Sequence, residues 1–396
     1  MLNPLAGRNM RFARRARSQL NIQIKVVCCR RFGCLPAEPQ ARRLGDVALG
    51  LSLPSQLAPG DPFPWIALPS NGKPQLACLA SRYSLLCFVG SVGDAAGAAA
   101  VAALREGRRE LEAMGVQAYV VTLGRDERLV AEPYPVPLFD GETTLSRLCG
   151  RFDEETRRFR RGWIVVDPTL HVLATFDFSA ESDGADRLFE WLRRMPPPHG
   201  YAGFEIPAPV LTLPNVFEPE ICAALIAYYE ADGGKVSGIY AAGANAFDNS
   251  FKSRRDVHIA DRELQSAVRE RFLRRVAPEI RKLFFVDLTR LERYLIGCYA
   301  SEEGGRFGAH RDIGAVHTAH RRFALSINLN ADFEGGGVLF PEFNTRALKA
   351  PPGWAVVFPA AILHSVLRVT RGRRYAYLDF LYDEAGEALR QKAGRI

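Results

Sequence analysis

His310 and Asp312 stand two apart in Gly308-Ala309-His310-Arg311-Asp312. On a β-strand, residues two apart share a face, so an imidazole and a carboxylate can converge on one point. A third donor must come from elsewhere, and Leu363-His364-Ser365 offers it on a later strand. Two histidines and one carboxylate are the facial ligand set of non-haem Fe(II), which leaves positions open for a bidentate co-substrate and O2. His-x-Asp alone is weak evidence, because a surface histidine and aspartate at a strand end read the same way. Arg374, ten residues after His364 in Gly372-Arg373-Arg374-Tyr375-Ala376, changes that balance. Its planar fork suits a carboxylate, and one hairpin beyond His364 it can reach the far carboxylate of 2-oxoglutarate. Alternation puts Arg373 on the other face.

Such residues need strands to hold them. From Leu291 onward, short runs separated by Gly, Pro and Asn predict a β-sandwich or jelly roll: Ala324–Leu329, Gly337–Phe340, Trp354–Phe358 and Tyr375–Leu381. Helical spacing precedes them at Glu218–Asp232 and Arg262–Phe284. The first half reads differently. Apolar runs at Ser84–Ser91 and Val116–Leu123 predict strands, as do Trp163–Val166 and His171–Phe178. Helical patterns at Ala96–Met114, Thr143–Phe152 and Asp183–Met195 alternate with them, which predicts an α/β sheet. A turn-rich entry spans residues 59–66, and the proline-dense residues 196–209 read as a semi-rigid linker. The predicted organisation is a leader over 1–50, an α/β domain over 51–195, the linker over 196–209, and a second domain over 210–396.

The chain has 396 residues and a net charge of +8. Ten of its basic residues fall in residues 1–43 against one acid, Glu38, which leaves 42 basic and 43 acidic residues elsewhere. The excess belongs to the leader, so nucleic acid is not an expected partner of the remainder. No run approaches the ~20 apolar residues of a membrane span, and no apolar h-region follows the basic start. Eight cysteines form no C-x-x-C pair and read as reduced thiols. The cytoplasm is the expected compartment.

The stretch from Tyr294 to Tyr382 resembles the prolyl-4-hydroxylase-like branch of the 2-oxoglutarate/Fe(II) oxygenases. The resemblance rests on Tyr299, Gly304-Gly305-Arg306-Phe307-Gly308-Ala309-His310-Arg311-Asp312, Ser326-Ile327-Asn328-Leu329-Asn330, Gly336-Gly337-Val338-Leu339-Phe340-Pro341, Pro352-Gly353-Trp354, His364-Ser365-Val366 and Gly372-Arg373-Arg374-Tyr375. It implies a double-stranded β-helix, a form of jelly roll, with flanking helices. It makes His310, Asp312 and His364 the iron ligands, with Arg374 on the C5 carboxylate of 2-oxoglutarate. Tyr299 falls where the family often has a tyrosine bonded to the oxoacid; a packed core tyrosine is the alternative. The implied activity is hydroxylation of a peptidyl, proline-like side chain or a small molecule, coupled to decarboxylation of 2-oxoglutarate to succinate, with ascorbate as reductant. His317 and His320 can line the entrance to the site and Arg254 and Arg255 can face a substrate, but the expected reading of all four is solvated; His258 has no metal-like partner.

Residues 58–195 resemble a thioredoxin-fold domain of the peroxiredoxin or redoxin type. The matching text is Ala58-Pro59-Gly60-Asp61-Pro62-Phe63-Pro64 and Gly162-Trp163-Ile164-Val165-Val166-Asp167-Pro168. A peroxidatic thiolate belongs at the start of the first helix, where the helix terminus lowers its pKa. That segment here reads Gly90-Ser91-Val92-Gly93-Asp94-Ala95-Ala96-Gly97-Ala98, without cysteine. Two other readings stand beside the oxygenase. One is a thiol redox protein acting through Cys87 or Cys149. The other is a non-catalytic binding platform.

Overall fold

The computed structural model describes residues 56–64, 69–70, 73–74, 80–132, 134–179, 182–241, 244–246, 251–314 and 316–394. The expected leader and Cys28, Cys29, Cys34 and Cys78 lie outside them.

The first half forms a five-stranded sheet. Its strands are β1 (Tyr83–Gly90), β2 (Val116–Thr122), β3 (Val136–Phe139), β4 (Gly162–Val166) and β5 (Val172–Asp177), in the order β3-β2-β1-β4-β5. β1, β2 and β3 run parallel, while β4 and β5 are antiparallel. β1 is buried along nearly its whole length, Ser84 included, because both of its faces are covered. Leu85, Cys87 and Val89 pack on one side with Leu104, Leu111, Leu188 and Leu192. Leu86 and Phe88 pack on the other with Leu138, Leu145 and Cys149.

The expected single helix over Ala96–Met114 is two, α1 (Ala95–Glu106) and α2 (Arg108–Ala113), broken at Gly107. A Cβ at Gly107 would lie 2.4 Å from the Phe189 ring, so the chain turns where only glycine lets that ring approach. α3 (Thr144–Leu148) and α4 (Ala185–Leu192) are shorter than their patterns predict.

The second half is built from two antiparallel sheets. The larger, nine-stranded sheet runs β6 (Leu211–Leu213), β14 (Ala355–Pro359), β12 (Phe323–Asn328), β16 (Val369–Tyr382), β10 (Leu295–Ala300), β9 (Arg255–His258) and β7 (Lys235–Val236), with two short strands also on β16. The smaller runs β8 (Lys252–Ser253), β11 (Arg306–His310), β15 (His364–Val366) and β13 (Val338–Leu339). Helix α5 (Pro219–Asp232) puts Cys222, Leu225 and Tyr229 into the core under the larger sheet. The predicted helix over Arg262–Phe284 divides into α6 (Arg262–Arg271), a π-helical turn (Phe272–Val276) and α7 (Ala277–Phe284). Pro278 explains the interruption, since it has no N–H for the carbonyl one turn back. β16 begins six residues before its expected start and is followed by α8 (Glu384–Ala393).

The two halves meet behind the strands that carry the histidines. Leu363, 1% exposed, is part of the core on the second face of the first sheet, with Ala309 packed against it. Strand alternation then turns their neighbours His364 and His310 the other way. Ser81 Oγ also donates to Pro341 O at 3.0 Å. Replacing Leu363→Ala leaves a cavity between the halves, and a loss of about 2–5 kcal/mol is expected in urea denaturation. Leu363→Met should retain most of the stability.

Candidate metal centre

β11 and β15 are antiparallel, and their register places His310 opposite His364. The ring centroids are 4.3 Å apart. Asp312 follows β11, held by its N–H on Ala360 O at 3.0 Å. Its Oδ1 is 3.5 Å from His310 Nε2 and its Oδ2 3.3 Å from His364 Nε2. The three potential ligand atoms lie within 4.8 Å of one another. The sequence-predicted triad therefore converges.

Both imidazoles have a fixed tautomer. His310 Nδ1 is 2.8 Å from Gly308 O, and His364 Nδ1 is 3.1 Å from Ile362 O. A carbonyl only accepts, so each Nδ1 carries the proton and each Nε2 presents a lone pair toward Asp312. Burial pushes the His364 imidazole down to about 4, so this ring is neutral at pH 7. Burial opposes the charge on Asp312, yet its carboxyl is held below the usual range; with the His364 ring neutral, the standing positive charge beside it is Arg321. Phe307 stacks on His310 at 3.6 Å, while Phe358 packs against the His364 ring. Two neutral Nε2 donors and an ionised carboxylate fit a divalent transition metal.

Arg374 reaches the same cavity from β16. It is 2% exposed, with Nε donating to Asn328 Oδ1 at 2.8 Å and Nη2 to Ser326 Oγ at 3.0 Å. Nη1 is buried without a hydrogen-bond partner. A buried guanidinium N–H left unpaired is costly, which marks a place for an acceptor. Tyr299 is buried, its ring centroid 5.2 Å from the Arg374 guanidinium carbon. Its hydroxyl accepts from Arg254 Nη1 at 3.2 Å. Arg373 faces outward and pairs with Glu302, as alternation requires.

Two expectations fail. Arg254 is not solvated: it is 5% exposed, binds Asp256 through Nε at 2.6 Å and Nη2 at 2.7 Å, and lines the cavity. The partner two residues along the strand shares its face and draws the charge inward. His320 is also buried, with Nε2 2.8 Å from Glu292 Oε2. Glu292 holds Arg321 through two bonds of 2.7 Å, and Arg321 Nη1 donates to Asp312 O at 3.0 Å. This clamp fixes the backbone of Asp312, and no periodicity in the 313–322 loop announces it. Arg255 pairs with Glu303, and His258 is exposed. Between the two candidate ligands, Arg311 pairs with Glu342, whose Oε2 also accepts from Leu363 N at 2.6 Å. The triad and Arg374 line one cavity of about 460 Å³ with Lys252, Arg293, Arg321 and His317.

The first half has no comparable centre among its described residues. At the start of α1, Asp94 caps Gly97 N at 3.0 Å and pairs with Arg161 at 2.6 Å. A carboxylate thus occupies the end of the helix. Cys87 and Cys149 are fully buried, and burial pushes both thiols up, away from the thiolate that redox chemistry needs.

Fold and site together define a protein with a partly buried two-histidine, one-carboxylate cluster beside a cationic cavity. No family model matches the chain. A PKHD-type hydroxylase of Paraburkholderia phymatum is 30% identical over 178 residues, which cover 42% of this chain and 75% of that protein. The chain belongs to the PKHD-type hydroxylases. A PKHD-type hydroxylase of Paracoccus denitrificans is 38% identical over 84 residues, 19% of this chain and 37% of the relative. The chain thus spans under half the length of this relative, as of one from Synechococcus, where coverage is 41%. Among solved structures, the chain is similar to a Pseudomonas putida prolyl-4-hydroxylase at 16% identity and a TM-score of 0.35, over 44% of this chain and 92% of that one. It is also similar to reduced Prx3 from Vibrio vulnificus at 17% and 0.31, over 35% of this chain and 100% of that one. No described helix is long and apolar enough to cross a membrane.

Proposed function

We propose that the chain is an Fe(II)- and 2-oxoglutarate-dependent hydroxylase, with residues 210–396 as the oxygenase domain and its two sheets as the walls of a double-stranded β-helix. Residues 51–195 are then a redoxin-like domain without peroxidase chemistry, joined through the linker 196–209. The observation that carries the reading is the shared cavity: a metal-competent triad on the smaller sheet faces a buried arginine on the larger one, whose Nη1 has no partner among the described residues.

His310, Asp312 and His364 would hold Fe(II), and Arg374 would hold the far carboxylate of the oxoacid. When bound, the metal supplies the activation of O2: substrate C–H, O2 and 2-oxoglutarate become hydroxylated substrate, succinate and CO2. The protein's part is placement and exclusion of water. The carbonyls of Gly308 and Ile362 aim the imidazoles, while Arg321 steadies the backbone of Asp312. Ser326 and Asn328 set the plane of the Arg374 fork, and Tyr299 walls the space beside it. Ascorbate is the expected reductant, the cytoplasm the expected compartment, and a proline-like side chain or a small molecule the expected substrate class.

Succinate formed from 2-oxoglutarate by full-length protein with Fe(II), ascorbate and O2 tests the reading. Slow turnover without substrate, lost in a His310→Ala, Asp312→Ala double variant, is the expected result. The reading fails if wild type forms no succinate and calorimetry detects no joint binding of metal and 2-oxoglutarate.

A further inference from the structure

The cavity holds more positive charge than its metal and oxoacid require. Lys252 on β8 is 7% exposed, its Nζ donating to Gly238 O at 2.8 Å and lying 4.8 Å from the centroid of the Phe307 ring. Phe307 in turn stacks on His310. Among the described residues, Lys252 forms no ion pair. Burial, reinforced by neighbouring Arg254, pushes its ammonium down to about 7. Arg293, just before β10, lies over the Phe380 ring at 4.4 Å, and Arg321 shares that ring at 3.7 Å. The Arg293 Nε is buried without a hydrogen-bond partner among the described residues. Asp379 accepts from the Arg293 backbone N–H through Oδ1 at 2.8 Å, but its carboxyl forms no ion pair with the guanidinium.

The other cations are matched: Arg254 with Asp256, Arg321 with Glu292, Arg311 with Glu342. In the loaded centre, a divalent metal with Asp312 and Arg374 is balanced by the two carboxylates of 2-oxoglutarate. Lys252 and Arg293 remain. A buried cation without a counter-charge is destabilising or gives up its proton, as Lys252 does in part, and a bound anion would favour its charged form.

We propose, building on the hydroxylase reading, that the substrate carries an oxyanion, carboxylate or phosphate, which docks between Lys252 and Arg293 in the loaded site. The same cavity of about 460 Å³ must also hold the oxoacid, so the anion sits on a small molecule, a single side chain or a chain terminus. Lys252 and Arg293 then select the substrate, and the metal acts on a carbon beside the anion.

The test uses full-length protein saturated with Mn(II) and 2-oxoglutarate, titrated at low ionic strength with inorganic phosphate and, separately, with acetate. Wild type should take up one further anion. Lys252→Met and Arg293→Gln should each weaken it by about tenfold or more, the loss of a charge-assisted hydrogen bond. Retained binding of Mn(II) and 2-oxoglutarate by the variants shows that they are folded. Preference for phosphate assigns a phosphate ester, and preference for acetate assigns a carboxylate. The proposal is overturned if neither anion binds the loaded wild type, or if both variants bind it as wild type does. If wild type does not bind Mn(II) with 2-oxoglutarate, the hydroxylase reading falls and this proposal with it.

Discussion

On the hydroxylase reading, Asp312→Ala is expected to lower succinate formation by about a thousandfold, the scale of losing several kcal/mol of metal-borne catalysis. Asp312 supplies the single negative charge among the three candidate ligands, and its two oxygens face both imidazoles. Without it the metal keeps two neutral donors, and the centre loses both a ligand and its charge balance. Mn(II) affinity measured by calorimetry should collapse in parallel. Thermal unfolding of the metal-free protein should change little, because the fastening of this loop is the Arg321 bond to the Asp312 carbonyl, which the substitution spares. Turnover within tenfold of wild type would remove Asp312 from the ligand set.

The second large effect is expected at Arg374. Arg374→Met should weaken 2-oxoglutarate binding by about a hundredfold, since one partner of a buried, charge-assisted pair is gone. Rate at saturating oxoacid should fall much less, because the triad is untouched. Ser326 Oγ and Asn328 Oδ1 also lose their partner, so a stability decrease of about 1–3 kcal/mol should accompany the change. Arg374→Lys should recover part of the affinity through charge without restoring the fork. The KM for 2-oxoglutarate, read beside kcat, separates these effects. An unchanged KM would assign the oxoacid to another cation lining the cavity.

The triad and Arg374 were legible in the sequence for a physical reason. His310 and Asp312 are local neighbours two apart, Arg374 alternates with Arg373, and strand periodicity alone sorts such residues by face. The α/β character of the first half and the β character of the second were legible in the same way, from runs of apolar residues. What escaped depends on distant partners. Leu363 reads as one more apolar strand residue, but the core cluster it joins, with Leu86 and Phe88, belongs to the other half of the chain. Arg254 looks like a surface charge in Arg254-Arg255-Asp256, and only the pairing of β9 with β10 shows that it turns toward Tyr299. His320 and Arg321 belong to a loop without periodicity, and Glu292, which organises them, precedes β10. Lys252 and Arg293 have no local pattern. Their significance is the absence of a counter-charge among the described residues, which a sequence does not display. Pro278 was visible, and its effect on the long helix follows from its missing N–H.

The most direct test of the account is a crystal structure of the full-length chain grown with Mn(II) and 2-oxoglutarate, with the metal located by its anomalous signal. The account predicts one metal within about 2.0–2.3 Å of His310 Nε2, His364 Nε2 and an Asp312 carboxylate oxygen. It also predicts the far carboxylate of the oxoacid on Arg374, accepting from Nη1. Metal bound elsewhere, or an oxoacid whose far carboxylate avoids Arg374, would contradict it.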